Sequence, residues 1–490
     1  MNATIPESLL RQFSAFLVTR AGLHFPPARW PDLLRGMENA AAEFGFPGVE
    51  PCLRWLIASI PERRQVEILA SHLTVGETYF FRDPAVFAAL ENDILPPLIA
   101  ARRACGRSLR IWCAACCTGE EPYSLAILLG RLIPDAEHWN ISIRGTDINP
   151  LFLAKAAHGV YREWSFRGVP EWIRGSCFEL TDGGGYRLAA RYRKLVTFDY
   201  LNLADDVYPA VTNSTNAMDI VLCRNVLMYF DAPAVAAVAR KLAGAVVDGG
   251  WLIVSPSEAS ASLFPDFTPV RFDDAVFFRK DGHRTPVRPY CRPESATVEV
   301  SPAGAAPATA PAALSEARAA GADAAPGTSP PAFYRSALAC FERGDYEGTR
   351  AALVEAGGAD CRAFALLARS CANLGRLDEA RHWCEAAVAA DKTDPGLRYL
   401  LASVLEEAGC AEEAIAVLRQ ALYLDQDYIL AHFALGNLYR RRDDPARAAK
   451  HFAHARQLLR ALPADAPLAD TGGLSAGRLR EIIDTTERIA

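Results

Sequence analysis

Long apolar stretches and an N-terminal secretory signal are both missing from this sequence of 490 residues. No apolar run approaches the roughly 20 residues that a membrane-spanning helix needs. The first residues, MNATIPESLLRQF, lack the basic-then-apolar pattern of a signal peptide. We therefore expect a cytoplasmic protein with no direct membrane insertion.

An excess of basic residues is also missing, because the formal net charge is −6 and the sequence pI is about 5.9. Nucleic-acid-binding domains usually carry a basic face, so we expect no nucleic-acid partner. The hydrophobic content of 51% argues against a disordered chain. A chain of this length is expected to form roughly two to four domains.

Two Cys/His pairs at the spacing of a zinc finger are missing as well, although the chain has 13 cysteines. Cys113 and Cys116 form a C-x-x-C pair, but no second Cys/His pair lies at a suitable distance. In a reducing compartment these cysteines are expected to be free thiols. A metal or redox role for the pair is the minor alternative, and we expect no metal.

The apolar pattern predicts two folded regions in the first part of the chain. Residues 1–95 have helical periodicity and are expected to form a helical N-terminal domain. Over residues 96–283, strand-like runs alternate with helical stretches, which predicts an α/β Rossmann-like domain with a parallel sheet. A Gly-rich insert at 162–194 carries seven basic and four acidic residues. Two short strands around Asp273–Asp274 are expected to close the domain as a hairpin.

A linker and a repeat follow. Residues 284–331 are predicted to be an Ala/Pro-rich linker, since 19 of the 31 residues in 301–331 are Ala or Pro, with a transient helix near 312–320 as an option. Over 332–465, small residues recur every 34 positions, which indicates all-α tetratricopeptide repeats that bind a protein or peptide on a concave face. An unrelated helical bundle is the minor alternative. Residues 466–490 are expected to form a capping helix or tail.

The segment RIWCAACCTGEEPYSL, residues 110–125, predicts a strand, a tight turn and a helix. Thr118 is a candidate helix cap, and Gly119 permits a close backbone approach. Turns of this kind bind nucleotide-like ligands at the C-terminal edge of a parallel sheet. The turn lacks GxGxxG and the P-loop lysine, and its two glutamates would repel a phosphate. S-adenosylmethionine, which has a cationic centre and ribose hydroxyls, fits better.

Polar residues also follow the later predicted strands. Asp147 could accept both ribose hydroxyls of a nucleoside or cap the next helix. Asn202 could reach an adenine edge. Arg224 and Asn225 interrupt a buried run and need partners, for which a ligand is the natural choice. Tyr229, four residues past Asn225, would share a face with it in a following helix, or else serve as a core aromatic.

Together these segments resemble the chemotaxis receptor glutamate O-methyltransferases, the CheR type. The resemblance runs from about residue 5 to 281 and rests on TVGETYFFRD (74–83), CCTGEEPYS (116–124), TDINPLFLAKAAHGVY (146–161), the Asn202–Leu203 pair and DIVLCRNVLMYFD (219–231). It implies a helical N-terminal domain, an S-adenosylmethionine-binding α/β domain and a small inserted β-subdomain. The repeats resemble those of tetratricopeptide-bearing members, which often serve alternative chemosensory pathways.

The resemblance also implies roles for individual residues. Arg82 and Tyr229 match the catalytic positions near the transferred methyl group. In place of the family's usual Asn this chain has Gly76, and Cys117 stands where a serine is common. The positions that match cofactor contacts are Thr78, Arg82, Glu120, Asp147, Asn202, Leu203, Arg224 and Asn225.

The implied activity is methyl esterification of receptor glutamates for adaptation. A glutamate carboxylate is already anionic at neutral pH, so the reaction needs in-line placement and no general base. The implied partners are the cytoplasmic domains of methyl-accepting chemoreceptors, with recruitment to receptor arrays, and a protein ligand of the repeats. The short loop Asp182–Gly185 favours recognition without a receptor tether. The alternatives are a methyltransferase with another substrate and a catalytically silent scaffold.

Overall fold

The computed structural model describes residues 5–59, 63–104, 106–210, 213–272, 275–281, 331–356, 360–442, 444–464, 466–469 and 475–489. The predicted linker therefore lies outside the described residues, apart from Pro331, as do its optional helix near 312–320 and the Asp273–Asp274 turn. Among the described residues, no helix combines the length and apolar character needed to cross a membrane.

The N-terminal part is helical, as predicted. Its first four helices share one apolar core that includes Phe13, Leu33 and Leu53. These helices are α1 Glu7–Ala21, α2 Trp30–Glu43, α3 Val49–Ala58 and α4 Arg63–Leu73. Two further helices, α5 Pro84–Ala89 and α6 Leu95–Ala104, are joined by a π-helical turn, Leu90–Ile94. Their buried side chains belong to the core of the sheet that follows.

A seven-stranded sheet forms the centre of the molecule, and the predicted Rossmann-like α/β fold is confirmed. The order is β6-β2-β1-β7-β8-β10-β9. The first five strands in that order are parallel, and β10 pairs antiparallel with both β8 and β9. The strands of this sheet are β1 Ser108–Ala114, β2 Asn140–Asp147, β6 Val196–Tyr200, β7 Met218–Cys223, β8 Val246–Val254, β9 Phe267–Phe272 and β10 Ala275–Lys280.

The helices of this domain connect the parallel strands. They are α7 Glu120–Leu132, α8 Pro150–His158, α9 Glu171–Cys177, α10 Ala190–Arg193 and α11 Ala232–Ala245. From β1 the chain adds β2 and β6 on one side and then β7 and β8 on the other, so the strand order reverses between β1 and β7. In open α/β sheets, ligands bind at the carboxyl ends of the strands at such a point.

A second, three-stranded sheet is inserted between β2 and β6. Its strands are β3 Val160–Tyr161, β4 Phe178–Leu180 and β5 Tyr186–Leu188, in the order β3-β5-β4. Phe80 anchors this sheet to the segment before α5, because its fully buried ring packs against Tyr161, Phe166 and Phe178. The insert thus contacts the segment that carries the TVGETYFFRD motif.

The C-terminal part is a stack of antiparallel helix pairs. Small residues at the predicted 34-residue spacing are buried, as at Ala368 and Ala402. A Cβ at Gly436 would lie 2.5 Å from the Phe452 ring, so this crossing admits only glycine without a shift. The helices are α12 Ala332–Glu342, α13 Tyr346–Glu355, α14 Cys361–Asn373, α15 Leu377–Ala390, α16 Pro395–Glu407, α17 Ala411–Leu424, α18 Ile429–Arg441, α19 Pro445–Arg460 and α20 Ala476–Ile489.

The helical stack folds back onto the sheet domain. Asn140, the first residue of β2, donates from Nδ2 to the carbonyl oxygen of Glu407 at 2.9 Å. Helix α20 lies against β6 and α8. Since β6 is an edge strand, this packing covers an edge that would otherwise be open.

Candidate functional site

A cavity of about 1030 Å³ lies at the carboxyl ends of β1, β2, β6 and β7 and is closed on one side by residues 73–82. We call it the cofactor cavity. None of the helices α12–α20 contributes a described residue to its lining. It brings together eight of the nine residues that the sequence singles out: Thr78, Arg82, Asp147, Asn202, Leu203, Arg224, Asn225 and Tyr229.

The turn after β1 shapes the floor of the cofactor cavity. Ala115 and Cys117 have positive φ values of 59° and 52°, and Gly119 has φ 90°. Such backbone is costly for non-glycine residues and typical of functional sites. The predicted close approach at Gly119 is present, since a Cβ there would lie 2.7 Å from the Cβ of Ala156. The residue that precedes α7 as its N-cap is Gly119, so the expectation that Thr118 caps this helix is wrong.

Asp147 ends β2 and holds the turn in place. Its Oδ2 accepts from the Cys117 amide and its Oδ1 from the Asn149 amide, both at 2.9 Å. Burial raises the pKa of Asp147 to about 6, although these amides act in the opposite direction. Each carboxylate oxygen can accept a further bond, which suits a ribose diol. The cap of α8 is Asn149, whose side chain accepts from Leu151 and Phe152, so Asp147 does not cap that helix.

Glu120, the expected cofactor contact, lies outside the cofactor cavity, and its neighbour Glu121 lines it. Glu120 does not line the cofactor cavity; its buried carboxylate accepts from Thr118 Oγ1 at 2.6 Å and Ser165 Oγ at 3.0 Å, beside a neighbouring cavity. Burial raises the pKa of Glu120. Glu121 lines the cofactor cavity instead. Sequence reasoning missed it because both glutamates belong to the same motif.

Arg224 ties the motif before α5 to the sheet. Its side chain is almost fully buried. It donates from Nη1 to Glu121 Oε2 at 2.8 Å, and from Nη2 to the Arg82 carbonyl oxygen at 3.1 Å and to the Asp83 carboxylate. The ligand-facing role expected for Arg224 is thus shared with a structural one. With two carboxylates and one guanidinium, this cluster carries a formal charge of −1, which favours a cationic ligand.

Arg82 is held in an unusual backbone segment. The residues on either side of it, Phe81 and Asp83, have φ values of 56° and 64°. The Arg82 Nη1 donates to the Glu77 carbonyl oxygen at 2.5 Å, and its guanidinium lies 5.9 Å from the Tyr79 ring centroid. Among the described residues, no carboxylate lies within ion-pair distance of Arg82. Its partly exposed guanidinium is therefore open to an anionic ligand.

Tyr229 reaches the cavity by a route other than the predicted one. The residues after Asn225 form a short 3₁₀ turn, Leu227–Tyr229, so the expected helix that would carry both side chains on one face is wrong. Both residues nonetheless line the cofactor cavity. The Tyr229 carbonyl oxygen accepts from the His24 amide at 2.7 Å, and the Arg29 guanidinium stacks on its ring at 5.2 Å. The N-terminal helices thus help to fix Tyr229.

Asn202 and Asn225 form the remaining polar wall. Asn202 Oδ1 accepts from the Ala204 amide at 3.0 Å, and its Nδ2 donates to Asp205 at 3.0 Å, so this side chain also stabilises its own turn. Asn225 has φ 58°, and its backbone N–H donates to Glu258 Oε2 at 2.8 Å. This bond stabilises the turn that follows β7. Leu203 contributes apolar surface.

Gly76 has a structural explanation. A Cβ at this position would lie 2.6 Å from Cζ of Phe152, whose ring lines the cofactor cavity. The large ring of Phe152 thus takes the space that a side chain at position 76 would need.

The cysteines beside the cavity are unsuited to act as thiolates. Burial raises the pKa of Cys113 and Cys116 well above the usual thiol range, and the nearby carboxylates of Glu121 and Asp147 act in the same direction. All cysteines among the described residues are free. In the part of the chain that the structure describes, no three His, Cys, Asp or Glu side chains are placed to hold a metal ion.

Comparison with known proteins finds family matches in two parts of the chain. A family model described as CheR methyltransferase, SAM binding domain, matches residues 76–274, and one described as tetratricopeptide repeat matches residues 362–394 and 395–428. Together these matches indicate an S-adenosylmethionine site followed by helical repeats, in agreement with the geometry described above.

Individual relatives differ in how much of their length is matched. A probable chemotaxis protein methyltransferase of Rhizobium etli is 35% identical over 39% of this chain and 70% of that protein. The probable biofilm formation methyltransferase WspC of Pseudomonas aeruginosa is 30% identical over 78% of this chain and 84% of that protein. An uncharacterized 104.1 kDa protein of Rhodobacter capsulatus is 35% identical over 42% of this chain, but the chain spans only 21% of its length.

Proposed function

Because this chain belongs to the CheR family of S-adenosylmethionine-dependent methyltransferases, we propose that it esterifies glutamate side chains on the cytoplasmic domains of chemoreceptors. The observation that carries the proposal is Arg82, a cation at the cofactor cavity that has no carboxylate partner among the described residues. A substrate carboxylate is the anion that this position accommodates.

The cofactor cavity suits S-adenosylmethionine, the methyl donor of the family. Asp147 offers two carboxylate oxygens for ribose hydroxyls, and the net negative charge of the Arg224 cluster favours a sulfonium. When bound, this cofactor supplies an electrophilic methyl group. We propose that Thr78, Arg82, Asp147, Asn202, Leu203, Arg224 and Asn225 form its binding site, and that Glu121 takes the place expected for Glu120.

The chain's own residues have a positioning task in this reaction. A glutamate carboxylate needs no base, so the protein must place one of its oxygens in line with the methyl–sulfur bond. We propose that Arg82 orients the carboxylate while Tyr229 borders the other side. The bond from Arg82 Nη1 to the Glu77 carbonyl oxygen restricts the guanidinium. Orientation raises the rate only if Arg82 does not bind the ground-state anion too tightly.

The surface beside the cavity fits an acidic partner. The insert at 162–194 has a formal charge of +3, from seven basic and four acidic residues. Arg167 stacks on Tyr79 at 3.9 Å and on the exposed Trp164 at 4.4 Å, next to the cavity that Thr78 borders. A receptor helix rich in glutamate is complementary to this surface in charge. We propose that the substrate helix docks here.

A receptor tether is not part of the proposal. The loop between β4 and β5 is a tight turn in which Thr181 and Gly185 bond to each other, with Thr181 N to Gly185 O at 2.8 Å. Such a closed turn offers little free backbone for an added peptide strand. Calorimetric titration with a receptor C-terminal pentapeptide checks this, and we expect no measurable binding.

The deciding experiment uses methyl-labelled S-adenosylmethionine, the full-length protein and receptor-containing membranes from its own source. We expect label on receptor bands that mild base releases, because carboxyl methyl esters are base-labile. Base-stable label, or label on other proteins, would indicate a different substrate. No label, despite measurable cofactor binding, would indicate a silent scaffold that acts through its repeats. The Arg82→Ala variant serves as the control and should label the receptor about a hundredfold more slowly.

A further inference from the structure

A second large cavity, of about 1110 Å³, lies between the helical repeats and the sheet domain. We call it the interface cavity. The sheet domain lines it with side chains that include Arg144, Thr146 and Leu201. The repeats line it with side chains that include Tyr399, Phe433 and Leu479. These come from α16, α18 and α20, so the face on which we expected a partner to bind is directed at the chain's own sheet.

The charged groups of the interface cavity are paired with one another. Arg144 pairs with Asp199 within the sheet domain. Arg441 donates to Glu406 at 2.5 Å within the repeats. These four are the charged side chains among its described lining residues. The charges that line this cavity are therefore balanced within the protein, as in a contact between two domains.

Glu407 anchors the repeats to the sheet domain. Its carboxylate, at the end of α16, is fully buried: Oε2 accepts from Asn216 Nδ2 at 3.2 Å, and Oε1 lies 3.7 Å from Arg110 Nη2. Its carbonyl oxygen accepts from Asn140 Nδ2 at 2.9 Å. Arg110 lies in β1, Asn140 begins β2, and Asn216 precedes β7 by two residues. Glu407 thus contacts residues at or near the start of β1, β2 and β7, and the opposite ends of these three strands form the cofactor cavity.

The two cavities share a wall. Leu201, directly after β6, lines both of them. In β2, Thr146 lines the interface cavity and the next residue, Asp147, lines the cofactor cavity. The Leu201 amide donates to the Asp147 carbonyl oxygen at 3.1 Å, which joins the two strand ends. A displacement of β2 or β6 at the repeats would therefore move the acid that faces the cofactor.

We propose that the docked repeats are an internal effector of cofactor binding: they hold β2 and β6 in the arrangement that forms the cofactor cavity, so loosening the repeats weakens S-adenosylmethionine binding. The effect acts through the shared wall, because no described residue of the repeats lines the cofactor cavity. Coupling between sites is reciprocal, so bound S-adenosylmethionine tightens the docking of the repeats in turn. The proposal does not depend on which substrate is methylated.

The test compares three variants of the full-length protein. Glu407→Lys places a second cation beside Arg110, and Asn140→Asp replaces the donor to the Glu407 carbonyl oxygen with a carboxylate. Glu355→Lys is the matched control, since Glu355 is exposed at the end of α13 and away from the interface cavity. Isothermal titration with S-adenosylmethionine should give a Kd about fivefold higher for the first two and an unchanged Kd for the control.

Hydrogen exchange of the same proteins supplies the second readout. We expect faster exchange in α16 and α20 for both interface variants, and slower exchange there in the natural protein when S-adenosylmethionine is added. Faster exchange with an unchanged Kd would overturn the proposal, as would a lower Kd, which would mean that the repeats restrain the site. Unchanged exchange in both variants would show that Glu407 is not an anchor. If circular dichroism shows lost helix in Glu407→Lys, Asn140→Asp decides, because it leaves the repeat sequence intact.

Discussion

The cofactor cavity and the interface cavity both adjoin β2 and β6, but the charged side chains that line them are paired differently. In the interface cavity, Arg144 and Asp199 neutralise each other. In the cofactor cavity, Arg82 has no carboxylate partner among the described residues, and Asp147 keeps acceptor capacity beyond its two backbone bonds. The charges of the interface cavity are thus paired within the protein, whereas the cofactor cavity keeps a guanidinium and a carboxylate that a ligand can complete.

Positive φ values are more frequent at the cofactor cavity than at the interface cavity, whose described lining has one such non-glycine residue, Ser214. Of the eight described non-glycine residues with positive φ, five line or border the cofactor cavity: Phe81, Asp83, Ala115, Cys117 and Asn225. Each such residue costs about 1–3 kcal/mol and persists only when its surroundings hold it. Here Asp147 holds Cys117, and Glu258 holds Asn225. The strain is thus concentrated at the site that must present particular side chains to a ligand.

The sharpest way to break this comparison is Arg82→Ala. If the free charge of Arg82 orients the substrate carboxylate, its loss should lower kcat about a hundredfold, because misplacement of reacting groups has effects of this size. Cofactor affinity should change little, since Asp147 and the Arg224 cluster remain. Steady-state methylation and calorimetric titration measure the two quantities separately.

The control for this variant is Arg103→Ala. Arg103 pairs with Asp135 on the surface, at 2.7 Å, and does not line the cofactor cavity. It should leave kcat unchanged. A normal kcat in Arg82→Ala, or a loss confined to cofactor affinity, would contradict the role given to Arg82.

A pH titration of cofactor binding sharpens the comparison next. The pKa of Asp147 is raised to about 6 by burial. In the free protein, ionisation of Asp147 therefore costs stability, and this cost grows as the pH rises from about 4 through about 6. Binding has the opposite sign, because the ionised form is the better acceptor for ribose hydroxyls. Affinity for S-adenosylmethionine should fall about tenfold as the pH is lowered from about 7 to about 5.

The Asp147→Asn variant tests the assignment of this pH step. It should bind weakly at both pH values and lose most of the step, since position 147 no longer titrates. A step that persists in Asp147→Asn would assign the titration to another group of the site. A natural protein whose affinity does not change over this range would contradict an ionised Asp147 as the ribose acceptor.

Local pattern predicts much of the fold and most of the site. Strands and helices follow from apolar periodicity, and polar residues at strand ends converge because parallel strands end at one edge. Which of two adjacent glutamates faces the cavity depends on where α7 begins, since one residue turns a helix by about 100°. With Gly119 as the N-cap, Glu121 takes that position.

The docking of the repeats is beyond any local pattern. Glu407 contacts Asn216 and Asn140 across 191 and 267 residues of sequence. In isolation it belongs to an ordinary charged end of a repeat helix, which predicts exposure to solvent. Only the assembled surface shows that its carboxylate is buried. The 3₁₀ turn at Tyr229 was missed for a related reason, because tertiary contacts from His24 and Arg29 fix that segment.

The smallest expected effect concerns Gly76 and Phe152, whose side chains compete for one space beside the cofactor cavity. Gly76→Asn introduces a Cβ 2.6 Å from the tip of the Phe152 ring. Overpacking costs about 1–3 kcal/mol of folding stability, and the lower end applies because a ring tip can move. A ring that moves into the cofactor cavity must be pushed back when the cofactor binds, so about 1 kcal/mol is lost from binding and affinity should fall about fivefold. Phe152→Val alone removes aromatic surface from the cavity and should weaken binding slightly.

In the double variant, Gly76→Asn with Phe152→Val, the added side chain occupies the space that the ring leaves, so cofactor affinity should exceed that of Gly76→Asn. Calorimetric titration of the four proteins gives the coupling free energy directly. Additive losses would show that the two positions do not share this space, and that the glycine has another cause.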